Sequence, residues 1–120
     1  MRCVRDFEDY QIIDMAGGEK LECWKNIILQ RPDPQIIWPE KTHPELWNKA
    51  DAIYRRSNTG GGSWNIKNKI PDVFEVTYHH LVFRLKLMGF KHTGLFPEQA
   101  VNWNLLEKII KESSRPLKVL

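Results

Sequence analysis

Two stretches of the chain alternate apolar and polar residues on both sides of a turn. The first is YQIIDMAGGEKLECW, residues 10–24, in which Gly17 and Gly18 supply the positive φ that a tight turn needs. Alternation with a period of two is typical of half-buried strands, so this stretch predicts a β-hairpin. We expect the return strand to continue to Leu29, before Pro32 stops regular pairing.

The second stretch has alternating arms at 74–78 and 81–87, with His79 and His80 between them at a predicted hairpin turn. Adjacent histidines on a turn point apart, and no third ligand accompanies them in the sequence. We therefore predict no metal site. Together the two stretches predict a small antiparallel sheet built from two hairpin segments.

Residues 44–56, PELWNKADAIYRR, place apolar residues at helical spacing. Pro44 suits a first helical turn, and the preceding residues 31–43 are rich in proline and extended. The sequence therefore predicts a helix between the two hairpins. Its apolar face would hold Leu46, Trp47, Ala50, Ile53 and Tyr54.

A C-terminal helix is predicted within EQAVNWNLLEKIIKESSR, residues 98–115. Its buried side would hold Ala100, Trp103, Leu106 (or Leu105), Ile109 and Ile110. Residues 117–120 are apolar and predict a buried strand. A helix followed by a short apolar strand is how a parallel α/β domain begins, so we expect the chain to be cut at a domain junction. A natural C-terminus can also end this way.

The composition fits one compact domain, since 120 residues with 42% hydrophobic and 28% charged content are ordinary for a globular fold. The net charge is +3, and it lies in the second half of the chain, which permits an anionic partner without requiring one. Cys3 and Cys23 form no metal-ligand pattern and suggest reduced thiols, although a disulfide between them stays open. With no signal peptide and no apolar run long enough for a membrane, the expected location is cytoplasmic.

Two features leave alternatives open. The loop SNTGGGSW, residues 57–64, contains three consecutive glycines whose bare N–H groups can approach a phosphate, but it matches neither a Walker loop nor GxGxxG. It is either a flexible connector or an anion-binding loop. Five tryptophans predict core anchors, with base stacking by one or two of them as the alternative.

The segment GFKHTGLFPEQ, residues 89–99, concentrates a cation, an imidazole, a hydroxyl and two aromatic rings ahead of the C-terminal helix. As a simple helix entry, it would place Pro97 in the first turn, Glu98 at the positive end of the dipole and Phe96 in the core. As a ligand site, it would use the same residues to contact a bound molecule. Both interpretations follow from the residues alone.

In this segment the chain resembles the N-terminal part of a bacterial class I S-adenosylmethionine-dependent methyltransferase, close to the large-subunit ribosomal RNA (cytosine-C5) methyltransferase group. That group carries a Lys-Thr-Gly-aromatic-x-Asp-Gln pattern, which corresponds here to Lys91–Gln99 with His92 inserted and Glu98 in place of Asp. The stretches DYQIIDMAGGEKLECW, RPDPQIIWP and YRRSNTGGGSW resemble a diverged branch of the same family. The resemblance covers nearly the whole chain.

The resemblance implies an accessory domain at 1–96, then a linking helix and the first strand of a Rossmann-like methyltransferase domain at 97–120. It also implies that S-adenosylmethionine contacts the segment before the helix. The corresponding cofactor-binding candidates are Thr93, Phe96, Glu98 and Gln99. Chemically they suit it, because a ring packs on the adenosyl or methionine part and Gln99 both donates and accepts hydrogen bonds.

The family's glycine-rich loop, its ribose-binding acidic residue and its cysteine nucleophile are all absent from the 120 residues. We therefore expect no catalytic residue in this chain and no activity from the chain alone. The expected partners are its own C-terminal methyltransferase domain, ribosomal RNA and a second copy paired through the terminal strand. The candidates for RNA phosphate contact are Arg55, Arg56, Lys67, Lys69, Lys91 and His92.

The sequence thus predicts an α+β fold of two hairpin segments with a helix between them, followed by the C-terminal helix and strand. The alternative function is a free-standing RNA-binding module that uses the basic half and exposed aromatic rings.

Overall fold

The computed structural model describes all 120 residues. Seven strands and two α-helices follow one another along the chain. The strands are β1 (Tyr10–Ala16), β2 (Glu19–Trp24), β3 (Ile27–Pro32), β4 (Ala52–Arg56), β5 (Gly62–Ile66), β6 (Phe74–Tyr78) and β7 (Leu81–Leu85). The helices are α1 (Pro44–Trp47) and α2 (Ala100–Glu112), and a 3₁₀ turn at Pro97–Gln99 leads into α2.

Strands β1 to β5 form one sheet in chain order, while β6 and β7 form a separate hairpin. All neighbouring strands are antiparallel except β3 and β4, which are parallel with Leu29 opposite Ala52. Parallel neighbours need a crossover connection, and residues 33–51 provide it. The predicted α+β class and both predicted hairpins are confirmed, and the five-stranded sheet is mostly antiparallel. The prediction that both hairpins share one sheet was wrong, because β6 and β7 pair only with each other.

The prediction that the return strand continues to Leu29 was wrong. Lys25 adopts a φ of 60° directly after β2, and its N–H bonds to the carbonyl of Asp9. The chain reverses there, so residues 27–32 form a third strand that pairs antiparallel with β2.

The two faces of the five-stranded sheet bury separate hydrophobic clusters. The first cluster lies between the sheet, the β6–β7 hairpin and the loop before α2. Its members are Trp24, Ile27, Leu29, Ala52, Phe74, Val76, Leu85 and Leu95. Because these residues come from most of the chain, the cluster joins the hairpin and the loop to the sheet.

The opposite face is covered by the crossover segment. Its cluster contains Ala16, Leu21, Trp47, Ala50 and Ile53. Asp14 fixes the crossover over this face, because its carboxylate accepts from Trp47 Nε1 and from the N–H of His43, both at 2.9 Å. Although desolvation opposes ionisation, these hydrogen bonds lower the pKa of Asp14 to about 2.

A buried ion pair lies beside Trp24, on the face of the sheet that carries the first cluster. The guanidinium of Arg31 donates through Nε and Nη2 to both oxygens of Glu22, at 2.5 and 2.7 Å. The Tyr10 hydroxyl donates to Glu22 at 2.6 Å, and Arg31 Nη1 donates to the carbonyl of Lys91 at 3.0 Å. Burial opposes the charge of Arg31, but Glu22 outweighs it and raises the pKa of Arg31. The charged groups are therefore mutually satisfied inside the fold.

The predicted helix at 44–56 was wrong beyond its first turn. Helix α1 ends at Trp47, and residues 52–56 form strand β4. Asp51 accounts for the change, because its carboxylate accepts from the Ile28 N–H at 2.8 Å and its carbonyl accepts from the Lys67 and Asn68 N–H groups. These contacts align the following residues between β3 and β5. The sheet therefore has five strands, whereas the sequence predicted only one two-stranded hairpin in this part of the chain.

Helix α2 forms as predicted, but the predicted burial of its apolar side was wrong. Ala100 is fully buried and Trp103 is half-buried, whereas Leu106, Ile109 and Ile110 are each about half exposed. The predicted strand at 117–120 was also wrong, since these residues pair with no strand and are exposed. With 13 residues in α2, no helix of the structure is long and apolar enough to span a bilayer.

Replacing Arg31 by Met should destabilise the fold by about 3–5 kcal/mol, because it leaves the Glu22 carboxylate buried without a compensating charge. The double variant Glu22→Leu/Arg31→Met should recover more than half of that loss, since both charges are then removed. Urea unfolding of the four members of this cycle measures the free energies.

The matched control is Arg84→Met, which removes an exposed arginine 3.6 Å from Glu75 and should cost less than about 1 kcal/mol. If Arg31→Met costs no more than Arg84→Met, the buried pair does not stabilise this fold.

A second ion pair joins the N-terminal segment to the β6–β7 turn. His79 Nε2 lies 2.6 Å from Asp6 Oδ2, and the His79 ring stacks on Tyr78 with centroids 4.2 Å apart. The hydrogen bond to Asp6 raises the pKa of His79, and the same bond lowers the pKa of Asp6. The pair therefore favours the folded state only while His79 is protonated and Asp6 is ionised.

Raising the pH should lower the melting temperature of this protein through His79. The stabilisation is complete below the unfolded histidine pKa of about 6.5 and disappears as the pH rises through the raised native pKa. Thermal melts at about pH 6 and about pH 9 should therefore differ less for His79→Gln than for the wild type. His80→Gln is the control, because His80 makes only a 3.9 Å contact to Glu107. An unchanged difference in the His79→Gln variant would contradict the assignment.

Candidate functional site

Residues 86–93 form a closed loop after β7. The Lys86 N–H donates to the Thr93 carbonyl and the Met88 N–H donates to the His92 carbonyl, both at 3.2 Å. Gly94 then takes a φ of 96°, a conformation that side-chain-bearing residues rarely adopt. The loop is thus held beside the sheet, and the segment singled out in the sequence lies between β7 and α2.

The structure does not bring all four predicted cofactor-binding residues to one surface. Thr93 is buried at 1% exposure, and its hydroxyl has no hydrogen-bond partner. Phe96 is 53% exposed and meets the ring of His92 edge-on, with centroids 5.4 Å apart. Glu98 and Gln99 are exposed, and Gln99 Oε1 accepts from Asn102 Nδ2 at 2.8 Å. Only Phe96 and Glu98 line the same groove.

The helix-entry interpretation is only partly correct. Pro97 and Glu98 do occupy the first turn, as it predicted. Phe96, however, precedes that turn and is about half exposed instead of buried in the core. An exposed ring at this point has no structural role in the cluster beneath it, so it is available to a ligand.

The groove beside Phe96 has a volume of about 220 Å³. Its charged lining residues are Lys20, Arg31, Asp33, Lys91 and Glu98. Much of this charge is already paired, since Lys20 lies 3.5 Å from Asp33 and Arg31 is bound by Glu22. Pockets that enclose a small-molecule ligand usually measure roughly 300–1,000 Å³. The groove suits part of a ligand and does not enclose one.

The six predicted RNA-contact residues separate into two sets. Arg56, Lys91 and His92 meet in a pocket of about 290 Å³, although they come from opposite halves of the domain. We call it the glycine-turn pocket, because Gly60 and Gly61 form one side of it. Arg55, Lys67 and Lys69 lie outside this pocket, and Lys69 lines a separate groove beside Asp51 and Glu75.

Sequence reasoning missed two residues of the glycine-turn pocket, Tyr54 and Phe90. Helical spacing predicts Tyr54 in a helix, although its alternation with Ala52 is equally compatible with a strand. Phe90 is 66% exposed, which no sequence pattern indicated. Arg31 and Lys20 likewise carry no signal in the sequence, because their partners lie on neighbouring strands.

A larger cleft lies elsewhere and contains none of the predicted cofactor residues. It measures about 460 Å³ and separates the β6–β7 turn from α2. Its walls are mainly Tyr78, Leu81, Trp103, Leu106 and Ile110. This cleft continues the exposed apolar side of α2.

No family model matches the chain, and no curated protein matches it. Among solved structures, the SAM-dependent methyltransferase from Agrobacterium tumefaciens is similar to it, with a TM-score of 0.86 and 30% sequence identity. The match covers 95% of this chain and 36% of that protein, so the chain spans about a third of its length. The chain is therefore related, in both fold and sequence, to one part of a SAM-dependent methyltransferase.

Proposed function

We propose that this chain is the N-terminal accessory domain of an S-adenosylmethionine-dependent methyltransferase that acts on ribosomal RNA. In this role it supplies one wall of the cofactor cleft. The observation that carries the proposal is the match of 95% of the chain, at 30% identity, to part of the Agrobacterium tumefaciens protein. Almost two thirds of that protein lies outside the match, which leaves room for a further domain.

The exposed residues before α2 support the role of a cleft wall. The Phe96 ring is free to pack against an apolar or aromatic part of the cofactor. The Glu98 carboxylate accepts hydrogen bonds such as those of ribose hydroxyls, and the Gln99 amide both donates and accepts. S-adenosylmethionine itself supplies the methyl group when it is bound.

Thr93 has a different position in this proposal. Its hydroxyl is enclosed, so it does not reach a cofactor on the surface. The Thr93 carbonyl instead closes the 86–93 loop by accepting from Lys86. Thr93 therefore positions the loop, and direct contact falls to Phe96, Glu98 and Gln99.

The apolar side of α2 supports docking of a methyltransferase domain. Leu106, Ile109 and Ile110 expose about half of their surface, and Leu81 of the neighbouring hairpin, which lines the same cleft as Leu106 and Ile110, is 38% exposed. A contiguous exposed patch of this kind is typical of an interface. A partner that covers α2 also lies close to Phe96, because the 3₁₀ turn leads directly into this helix.

The cysteines do not suit the nucleophilic role that cytosine-C5 methylation requires. Burial raises the pKa of Cys23, which keeps it a thiol, and its Sγ bonds to the Lys25 carbonyl at 3.2 Å. Cys3 lies in the exposed N-terminal segment, and none of the grooves described includes it. We infer that the chain alone transfers no methyl group.

A free-standing RNA-binding module is the second candidate function. The observation that favours it is the glycine-turn pocket, where Arg56 and Lys91 converge without an acidic residue. Such a module would bind RNA with a steep salt dependence and would need no further domain.

A chimera tests the accessory-domain proposal. This chain replaces the matched segment of the Agrobacterium tumefaciens methyltransferase, and calorimetry measures the affinity for S-adenosylmethionine. The chimera should bind the cofactor, and Phe96→Ala should weaken binding about tenfold, because a ring contact is worth roughly 1 kcal/mol or somewhat more. Glu98→Gln should weaken it less, since an amide oxygen still accepts hydrogen bonds.

The matched control is Phe90→Ala in the same chimera, which removes a ring that is 66% exposed, against 53% for Phe96, and lies outside the groove of Phe96 and Glu98. Its affinity for the cofactor should equal that of the parent chimera. Equal losses in the Phe90 and Phe96 variants, or none in either, would refute the cleft-wall assignment.

A further inference from the structure

The glycine-turn pocket is formed by two loops that are distant in sequence. The turn between β4 and β5 contributes Gly60 and Gly61, and the end of β4 contributes Arg56. The loop after β7 contributes Phe90 and Lys91. The two loops face each other across about 290 Å³, a volume near the lower end of the range for small-molecule sites.

Hydrogen bonds hold the two loops at a fixed separation. The Tyr54 hydroxyl donates to the Gly89 carbonyl at 3.3 Å, and Trp64 Nε1 donates to the Met88 carbonyl at 2.7 Å. The Tyr54 and Trp64 rings pack edge to face, 5.5 Å apart. Gly62 packs closely against β4, because a Cβ there would lie 2.2 Å from the Arg55 carbonyl oxygen and 2.7 Å from the Tyr54 hydroxyl. The pocket is therefore built by the fold instead of by two loose loops.

The pocket is positively charged without compensation. Neither Arg56 nor Lys91 has a carboxylate within salt-bridge distance, although ten such pairs occur elsewhere in the chain. Lys91 Nζ makes a single 3.4 Å hydrogen bond to the Pro32 carbonyl, and no acidic residue lines the pocket. An anion that binds here would contact two cations that have no carboxylate partner, so no existing ion pair has to be broken.

The neutral parts of the pocket suit a phosphate beside a base. Gly60 and Gly61 have φ of 96° and 70° and carry no side chain, so their backbone can approach an anion closely. Phe90 is 66% exposed and offers a ring face for stacking. Cations with an exposed aromatic ring are the combination by which proteins bind single-stranded nucleic acid.

We propose that the glycine-turn pocket binds one nucleotide unit of single-stranded RNA. Arg56 and Lys91 contact the phosphodiester, the Gly60–Gly61 backbone approaches it from the other side, and Phe90 stacks on the adjacent base. This proposal rests on the proposed function for its choice of RNA as the ligand. It adds the place of contact, which shares only Lys91 and His92 with the groove of Phe96 and Glu98.

Fluorescence anisotropy with a labelled single-stranded RNA 12-mer of mixed sequence tests the pocket. Arg56→Ala/Lys91→Ala and Phe90→Ala should each weaken binding about tenfold or more. The double variant should also reduce the slope of log affinity against log salt by about 1.4, at roughly 0.7 for each lost phosphate contact. Arg56→Lys and Phe90→Trp should keep most of the affinity. That result would show that the alanine variants lose a charge or a ring and do not unfold the protein.

The controls are Lys108→Ala, which removes an exposed cation of α2, and Phe96→Ala, which removes an exposed ring outside the pocket. Both should bind RNA like the wild type. Equal losses in controls and pocket variants would overturn the proposal, as would competition by inorganic phosphate or an acidic peptide as strong as by unlabelled RNA.

The cofactor experiment separates this proposal from the proposed function. In the chimera, Arg56→Ala/Phe90→Ala should leave the affinity for S-adenosylmethionine unchanged, because neither residue lines the groove of Phe96 and Glu98. If the parent chimera fails to bind the cofactor while RNA still binds at the pocket, only the accessory-domain proposal is refuted. If the chimera binds the cofactor but the pocket variants bind RNA as tightly as the wild type, only the pocket proposal is refuted.

Discussion

The buried bond between Glu22 and Arg31 is the contact on which both candidate surfaces depend. It joins β2 to β3 in the middle of the sheet, and Arg31 continues outward to the Lys91 carbonyl. That single carbonyl lies in the loop that separates the glycine-turn pocket from the groove of Phe96 and Glu98. The ion pair therefore does more than stabilise the core. It sets the position of the loop relative to the sheet, and burial makes any loosening of the pair costly.

The local features of the fold could be predicted from the sequence, because their partners are close in the chain. Gly17 and Gly18 indicate one hairpin turn, and the alternation on both sides of His79 indicates the other. The helix predicted at 44–56 failed because one partner of β4 is remote, since Leu29 precedes Ala52 by more than 20 residues. The other partner, β5, follows closely, but the helical spacing of the apolar residues in 44–56 concealed the alternation of this strand. Helical periodicity also identified the apolar side of α2 correctly, but periodicity cannot say whether a neighbour covers that side.

The sequence predicted which segment carries the candidate cofactor site, but not which of its side chains reach the surface. The residues around Phe96 stood out by composition and by resemblance, yet burial of Thr93 and exposure of Phe96 depend on how the loop packs. The convergence of Arg56 with Lys91 depends on the bond between Tyr54 and Gly89, which links positions 35 residues apart. Such a contact leaves no periodic trace in the sequence. We propose separate ligands for the two surfaces, and one loop of the chain connects them.

Under the proposed function, this chain holds one wall of a cofactor site and not a whole one. Calorimetric titration of the isolated chain with S-adenosylmethionine tests this claim most directly. The groove beside Phe96 is small and open, so we expect no saturable binding below about 1 mM, equivalent to less than roughly 4 kcal/mol of binding free energy. Stoichiometric binding with micromolar affinity would contradict the claim, because it would require a complete site within these 120 residues.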